Sequence, residues 1–262
     1  MARLIFIILL VSLSNNALAQ NNKTHVGRFE ISVGAGVLIP VGKFASTSTT
    51  GFEQTVFEIQ GDDQYDIRFF SKKNHAHAKR GGDLNIEINY LTKRNWVHGI
   101  GFGKSSNTVN LEKANIVFSE SPFSQISSKI IHQQDFNINY LTYNLSYDLS
   151  IKKTSIRPYQ KIGLSQLDFP YYHLEEETEW KISFIHEGDQ PRSSGLYFES
   201  GVITNISLSN KFELGLNLSY RFADFDYTMY KRVVPGGSTT FIVPDQVNMR
   251  AIMTGFRLAY KL

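Results

Sequence analysis

Lys211-Phe212-Glu213-Leu214-Gly215-Leu216-Asn217-Leu218-Ser219-Tyr220-Arg221-Phe222-Ala223-Asp224 alternates without a break. Phe212, Leu214, Leu216, Leu218, Tyr220 and Phe222 fall on one face, and Glu213, Gly215, Asn217, Ser219 and Arg221 on the other. A period of two is the geometry of a strand, whose successive side chains point to opposite sides. A helix would cluster its apolar residues with a period of about 3.6.

The same pattern recurs along the chain. Ile252, Thr254, Phe256, Leu258, Tyr260 and Leu262 oppose Met253, Gly255, Arg257, Ala259 and Lys261. Near the start, Phe29, Ile31, Val33, Ala35, Val37 and Ile39 oppose Glu30, Ser32, Gly34 and Gly36. Leu84, Ile86, Ile88 and Tyr90 alternate with Asn85, Glu87 and Asn89, and Leu141, Tyr143, Leu145, Tyr147 and Leu149 with Thr142, Asn144, Ser146 and Asp148. Phe136, Ile138 and Tyr140 run in the opposite phase to that last set, which predicts a bulge near Tyr140. Trp96–Asn110 is glycine-rich and ambiguous in facing; Ile156–Leu167 and Leu196–Leu208 complete eight strands. Pro158 falls near the start of its strand, where a missing N–H is tolerated.

The connections alternate in length. Lys93-Arg94-Asn95, Lys152-Lys153-Thr154 and Ser209-Asn210 are tight turns, whereas Val41–Gly82, Leu111–Gln134, Phe169–Ser193 and Asp226–Gln246 are long polar stretches. Short turns on one rim and long loops on the other mark an outer-membrane barrel, with the long loops outside the cell. Eight strands also put both chain ends on the short-turn, periplasmic rim. Glu53–Gln60 and Tyr65–Phe70 offer two further strands, making ten. They are short and alternate poorly, which favours an extension of the first hairpin above the membrane.

The N-terminus reads as an export signal. Arg3 supplies positive charge, Leu4–Leu13 is an apolar run, and Ala17-Leu18-Ala19 is a small-x-small cleavage site before Gln20. The apolar run is half the length of about twenty residues that a membrane helix needs. The expected division is a signal peptide over 1–19 and one barrel domain over 20–262, cut between Ala19 and Gln20. The 262 residues contain no cysteine, which excludes disulfides, thiolate chemistry and cysteine-based zinc sites. A formal charge of +3 gives no case for nucleic acid. Aromatic residues make up 13%, which suits strands.

Alternation does not itself say which face meets water. A lipocalin-type soluble barrel would put the apolar face inside. Against that, the polar face is mostly Gly, Asn, Ser and Thr, whereas a soluble surface is rich in Lys and Glu. Tyr90, Trp96, Tyr147, Tyr220 and Tyr260 lie near strand ends, where an aromatic girdle belongs. The last strand runs to the final residue, with Gly255, Leu258, Tyr260 and Leu262 placed as in the C-terminal assembly signal of outer-membrane proteins. Met253 and Leu262 depart from that signal, which prefers a polar residue and a terminal Phe. The expected fold is therefore all-β: a transmembrane, antiparallel, up-and-down β-barrel of eight strands, ten being the alternative.

Gly36-Val37-Leu38-Ile39-Pro40-Val41-Gly42-Lys43-Phe44 after the first strand, Arg157-Pro158-Tyr159-Gln160-Lys161-Ile162-Gly163-Leu164 at the start of the fifth, and Gly201 in the sixth carry a likeness. In them the chain resembles the outer-membrane β-barrel domain family, small porin-like barrels with long extracellular loops. The likeness covers nearly all of the chain after the signal, at scattered positions. It implies fold and location, and no reaction.

With the polar face inside, the lumen receives Glu30, Glu87, Asp148, Glu199 and Glu213 together with Arg157, Lys161, Arg221 and Arg257. Eight strands leave an interior just wide enough for side chains to fill it. Buried charges must pair there, so a closed, salt-bridged lumen is expected ahead of a charged ion path. His75-Ala76-His77 presents two imidazoles on one extended face, yet a basic, solvated stretch (Lys72, Lys73, His75, His77, Lys79, Arg80) is the simpler reading. That stretch also suits lipopolysaccharide phosphates. Glu175-Glu176-Glu177 and Glu179 lack the spacing of a calcium loop and read as a solvated acidic run. His98, His132, His173 and His186 have no serine beside them in a hydrolase motif, and His-x-Ser is absent.

The functional expectation is thus a non-enzymatic scaffold without cofactor or metal, plugged, and displaying long loops in structural, adhesive or accessory roles. Its expected surroundings are outer-membrane lipid and lipopolysaccharide, the barrel-assembly machinery, and another envelope protein or extracellular ligand at the loops. A small-solute channel is the first rival, and an enzyme acting on outer-leaflet lipid the second.

Overall fold

The computed structural model describes residues 27–47, 52–58, 64–70, 72–119, 127–133, 135–151, 153–168, 172–177, 183–184, 192–233 and 239–262, with side chains described outside 51–71, 116–134, 151–152, 169–191 and 227–244. Residues 1–26, and with them the Ala19–Gln20 cleavage site, lie outside the described residues.

Eight long strands form the barrel: β1 (Arg28–Pro40), β2 (Ala78–Leu91), β3 (Trp96–Val109), β4 (Phe136–Tyr147), β5 (Thr154–Asp168), β6 (Arg192–Ser207), β7 (Phe212–Val233) and β8 (Thr239–Lys261). Each pairs with its chain neighbour in antiparallel register, and β1 pairs with β8 to close the cylinder. The β5–β6 ladder runs from Arg192↔Asp168 to Ile206↔Thr154, so no barrel edge stays unpaired there. Phe52–Glu58 and Gln64–Phe70 pair only with each other, as a two-stranded hairpin apart from the barrel. The barrel therefore has eight strands and not ten.

One rim carries the short turns. Asn95 takes the left-handed conformation (φ 63°), which asparagine tolerates, and the Thr92 amide donates to the Trp96 carbonyl at 2.7 Å. At the β6–β7 turn, Ser209 Oγ accepts from the Phe212 amide at 3.1 Å. Helix α1 (Leu111–Ser119) begins just beyond β3 on the other rim. Ser127–Gln133, Tyr172–Glu177 and Ser183–Phe184 form a separate three-stranded sheet within the long connections. Asp226–Gln246 is not a loop: β7 and β8 stay paired as far as Val233↔Thr239, because the hairpin simply continues past the apolar band.

The outer wall is apolar. Leu216 is 55% exposed and Asn217 9%, and Phe212, Leu214, Leu218 and Tyr220 are exposed around an inward Glu213, Ser219 and Arg221. The eleven residues Phe212–Phe222, at about 3.3 Å each and tilted by about 40°, span roughly 25 Å, the height of a membrane barrel's apolar band. A soluble barrel has the opposite polarity. No helix among the described residues is long and apolar enough to cross a membrane.

Two local readings change. Trp96–Asn110 has a definite facing: Ile100 and Phe102 point out, while Gly99, Gly101 and Gly103 point in. The glycines make room for interior side chains, since a Cβ on Gly103 would lie 2.3 Å from the Tyr140 phenol. Nor is there a bulge near Tyr140. The β4 registers with β3 and β5 run without a shift, and Phe136, Ile138 and Tyr140 continue the inward phase of Thr142 and Asn144. The apparent phase reversal reflects a lumen that is polar at one end and apolar at the other.

Candidate functional site

The lumen is filled in layers. Nearest the short-turn rim, Lys261 bonds Glu213, and Arg257 bonds Glu30. Arg157 reaches Glu30 at 3.0 Å and Asp148 at 2.9 Å, with Glu213 at 3.8 Å. In the next layer Lys161 Nζ meets Glu87 at 2.6 Å and Glu199 at 3.7 Å. Tyr159 donates its hydroxyl to Glu199 and lies 2.9 Å from the Asn217 carbonyl oxygen.

Above these, Arg221 joins the network to its ceiling. It reaches Asp83 at 2.6 Å and Glu199 at 3.0 Å, and its side chain is wholly buried. Tyr140 donates to Asp83 at 2.8 Å and Tyr197 to Glu199 at 2.5 Å. The two phenol rings stack at 4.6 Å, and the guanidinium sits 5.3 Å from the centre of the Tyr140 ring. Every ionised group in this column has a partner of opposite charge, the condition under which charge is tolerated in a low-dielectric interior.

The nine charges expected on the inward face lie inside the barrel in two ion-paired groups, one of Glu30, Asp148, Arg157, Glu213 and Arg257 and one of Glu87, Lys161, Glu199 and Arg221. Sequence reasoning missed Asp83, Lys261 and the three tyrosines 140, 159 and 197. Asp83 had a signal: it extends the Asn85, Glu87, Asn89 parity by one step, up to the edge of the Val41–Gly82 connection. The tyrosines shared it, since Tyr159 has the parity of Arg157 and Lys161, Tyr197 that of Glu199 and Tyr140 that of Thr142 and Asn144; as aromatics they were passed over in a search for charge.

Beyond Arg221 the lumen becomes an apolar core of Phe44, Phe136, Ile138, Leu167, Tyr197, Phe225, Val247 and Met249. Phe44 comes from the short 3-10 helix Gly42–Phe44, which follows β1 and turns back over the mouth. Residues 72–78 cover it. Ala76 and His77 donate their amides to the Lys43 and Ser46 carbonyls at 3.0 and 3.2 Å, and the Asn110 amide donates to the His77 carbonyl at 2.7 Å. The Lys72 amide donates to the Asp245 carboxylate at 2.9 Å, and Asn248 Nδ2 to the Lys73 carbonyl at 2.9 Å.

The basic stretch is therefore no solvated run: Lys72, Ala76 and His77 are buried, while Lys73, Lys79 and Arg80 stay exposed. The mouth needs a cover for its apolar core, and this segment is the cover. Burial lowers the pKa of Lys72, opposed by the nearby Asp245. Burial also lowers that of His77, to about 4, with the His75 and Lys72 charges acting in the same direction. His75, whose Nδ1 lies 2.6 Å from Ser46 Oγ, is lowered by burial and by Lys43.

Among the described residues no three His, Cys, Asp or Glu side chains are placed to share a metal ion. His98 points outward from β3, with Nδ1 2.6 Å from the Tyr143 hydroxyl. His132 and His173 face each other across the three-stranded sheet, and Glu175, Glu176 and Glu177 lie on its Tyr172–Glu177 strand, where backbone alone is described. His186 and Glu179 lie outside the described residues. Of the C-terminal set, Leu258 and Tyr260 face out, Gly255 sits opposite Gly36, and the Leu262 amide donates to the Phe29 carbonyl at 2.9 Å.

No family model and no curated protein matches the sequence. The chain is similar in fold to solved outer-membrane barrels. One is a major outer membrane protein from Thermus thermophilus, at 11% identity and a TM-score of 0.45, covering 91% of this chain and 100% of that one. Another is the outer membrane protease OmpT from Escherichia coli, at 9% identity and 0.42, covering 94% and 100%. A third is Neisserial surface protein A, at 11% and 0.37, covering 91% and 100%. These likenesses concern the fold alone and carry no argument about activity.

Proposed function

We propose that this protein is an outer-membrane barrel working as a non-conducting, non-enzymatic scaffold that holds its long-connection rim outside the cell. The observation that supports this is the filled lumen: an ion-pair column, an apolar core and a cover follow one another along the whole axis. The channel reading needs a water-filled path through those layers. The enzyme reading needs an activated nucleophile, and the buried charges are already spent on one another. What stays available on the outer rim is the extended β7–β8 hairpin and the three-stranded sheet. Elements on a rigid barrel of this kind suit contact with lipopolysaccharide, another envelope protein or an extracellular ligand.

Planar-bilayer recording of the purified protein tests the proposal. We expect no stable conductance steps; large, reproducible openings would overturn it. Residues 1–19 serve in this reading as an export signal removed before Gln20, and the barrel-assembly machinery inserts the remainder. Mass spectrometry of envelope material should find Gln20 as the first residue, and a chain starting at Met1 would contradict export by cleavage.

A further inference from the structure

Within the apolar band, one outward side chain breaks the pattern. It is His98 on β3, whose outward neighbours Ile100 and Phe102 are apolar; the next outward ionisable side chain of that strand, Lys104, lies toward the other rim. An imidazole at the edge of that band can reach the polar part of a lipid from an otherwise apolar wall. His98 stands two residues above Trp96, roughly 5 Å along the barrel axis from the girdle, at the depth of lipid headgroups and esters.

His98 borders a groove. A depression of about 550 Å³ runs over the outer wall between β1 and β4, floored by Ile88 and Ile100 and flanked by Phe29, Tyr90, His98 and Tyr143. The depression is open along the wall, and its exposed lining is almost wholly apolar. Phe29 and Tyr90 pack as a ring pair at 5.1 Å on one side. On the other, Tyr143 and His98 Nδ1 share a hydrogen bond. With the phenol donating to Nδ1, Nε2 carries the proton and donates outward.

The charge at the groove's mouth picks the occupant. Tyr90 pairs with both Phe29 and His98, so Arg28 and the Lys93-Arg94 turn lie at the groove's short-turn end. All three are exposed, as are Lys153 and Lys211 on the same rim, whereas the acids there, Glu30, Asp148 and Glu213, are buried in the lumen. We infer that this groove is a binding site for one anionic glycerophospholipid of the periplasmic leaflet. An acyl chain lies over Ile88 and Ile100, His98 donates to a phosphate or ester oxygen, and Arg28, Lys93 and Arg94 hold the headgroup charge. The site rests on the membrane placement proposed above.

Native mass spectrometry of the detergent-purified full barrel, mixed with dioleoyl phosphatidylglycerol or dioleoyl phosphatidylcholine, tests it. We expect retention of the anionic lipid to exceed that of the zwitterionic one about tenfold, because Arg28, Lys93 and Arg94 meet a net headgroup charge that only the anionic lipid carries. The pair Lys93→Gln with Arg94→Gln should remove most of that preference, and His98→Ala should weaken retention of both lipids, which present the same phosphate and ester oxygens. Ile100→Trp should abolish retention by filling the groove, and Phe256→Trp on another wall should not. Tyr143→Phe, which leaves the fold's packing in place, should weaken retention by freeing the imidazole. Equal retention of the two lipids, or wild-type retention in His98→Ala or Ile100→Trp, overturns the site. If the wild-type barrel inserts into bilayers yet shows no preference, the lipid site fails and the membrane reading stands. A wild-type protein that stays out of bilayers overturns both.

Discussion

Arg221 is the residue on which the lumen turns. It is wholly buried, and it is the cation that Asp83 and Glu199 share. Removing one member of a buried ionic cluster strands the others without compensation, at a cost of about 3–5 kcal/mol. That is a large part of the roughly 5–15 kcal/mol that holds a typical domain together. Arg221→Met should therefore lower the urea midpoint of the folded barrel sharply. Arg221→Met combined with Glu199→Gln and Asp83→Asn should recover much of the loss, since the stranded charges are then gone. If the single and triple variants unfold at the same midpoint, the cluster acts by packing and not by charge. The contrast at Leu216 and Asn217 has the same origin at smaller scale: one position meets hydrocarbon, the next meets Tyr159.

At the scale of elements, the cover over the mouth is the part most sensitive to conditions. Residues 72–78 are held by backbone hydrogen bonds to Lys43, Ser46 and Asn110 and by the Asp245 carboxylate. His77 is buried in the cover with its pKa depressed from 6.5 to about 4. A base with a depressed folded-state pKa stabilises the closed form above the ordinary value, and that stabilisation is lost as pH falls through about 4. Hydrogen exchange of 72–78 should therefore quicken between pH 6.5 and 4, corrected for intrinsic rates, and His77→Gln should flatten the dependence. A protection that stays constant across that window would contradict the role given to His77.

These elements also show what the sequence could and could not reveal. The strands were legible because each apolar wall position must meet lipid, which enforces strict alternation from Phe212 to Phe222 and from Ile252 to Leu262. The lumen charges were legible by parity for the same reason. The upper lumen was not. Phe136, Ile138 and Tyr140 are apolar residues facing inward, and apolar residues on both faces look like a change of phase. The cover was hidden because its buried lysine and histidine are residues usually found in water. The continuation of β7 and β8 was hidden because above the band both faces of a hairpin can be polar.

For the molecule as a whole, the wall and the lumen make one joint claim: hydrocarbon outside, packed side chains inside, water in neither. Two adjacent positions read both halves. Cysteine placed singly at Leu216 and at Asn217 introduces the only thiol in each protein, since the chain has no other. In bilayers, a spin label at Leu216→Cys should be quenched by a lipid-dissolved reagent and the thiol spared by a water-soluble maleimide. At Asn217→Cys neither the lipid-side quencher nor the maleimide should reach the probe while the barrel stays folded. Maleimide reaction at Asn217→Cys would mean a water-filled lumen, and lipid-side quenching absent at Leu216→Cys would mean that the apolar wall does not face the membrane. Either result contradicts the account.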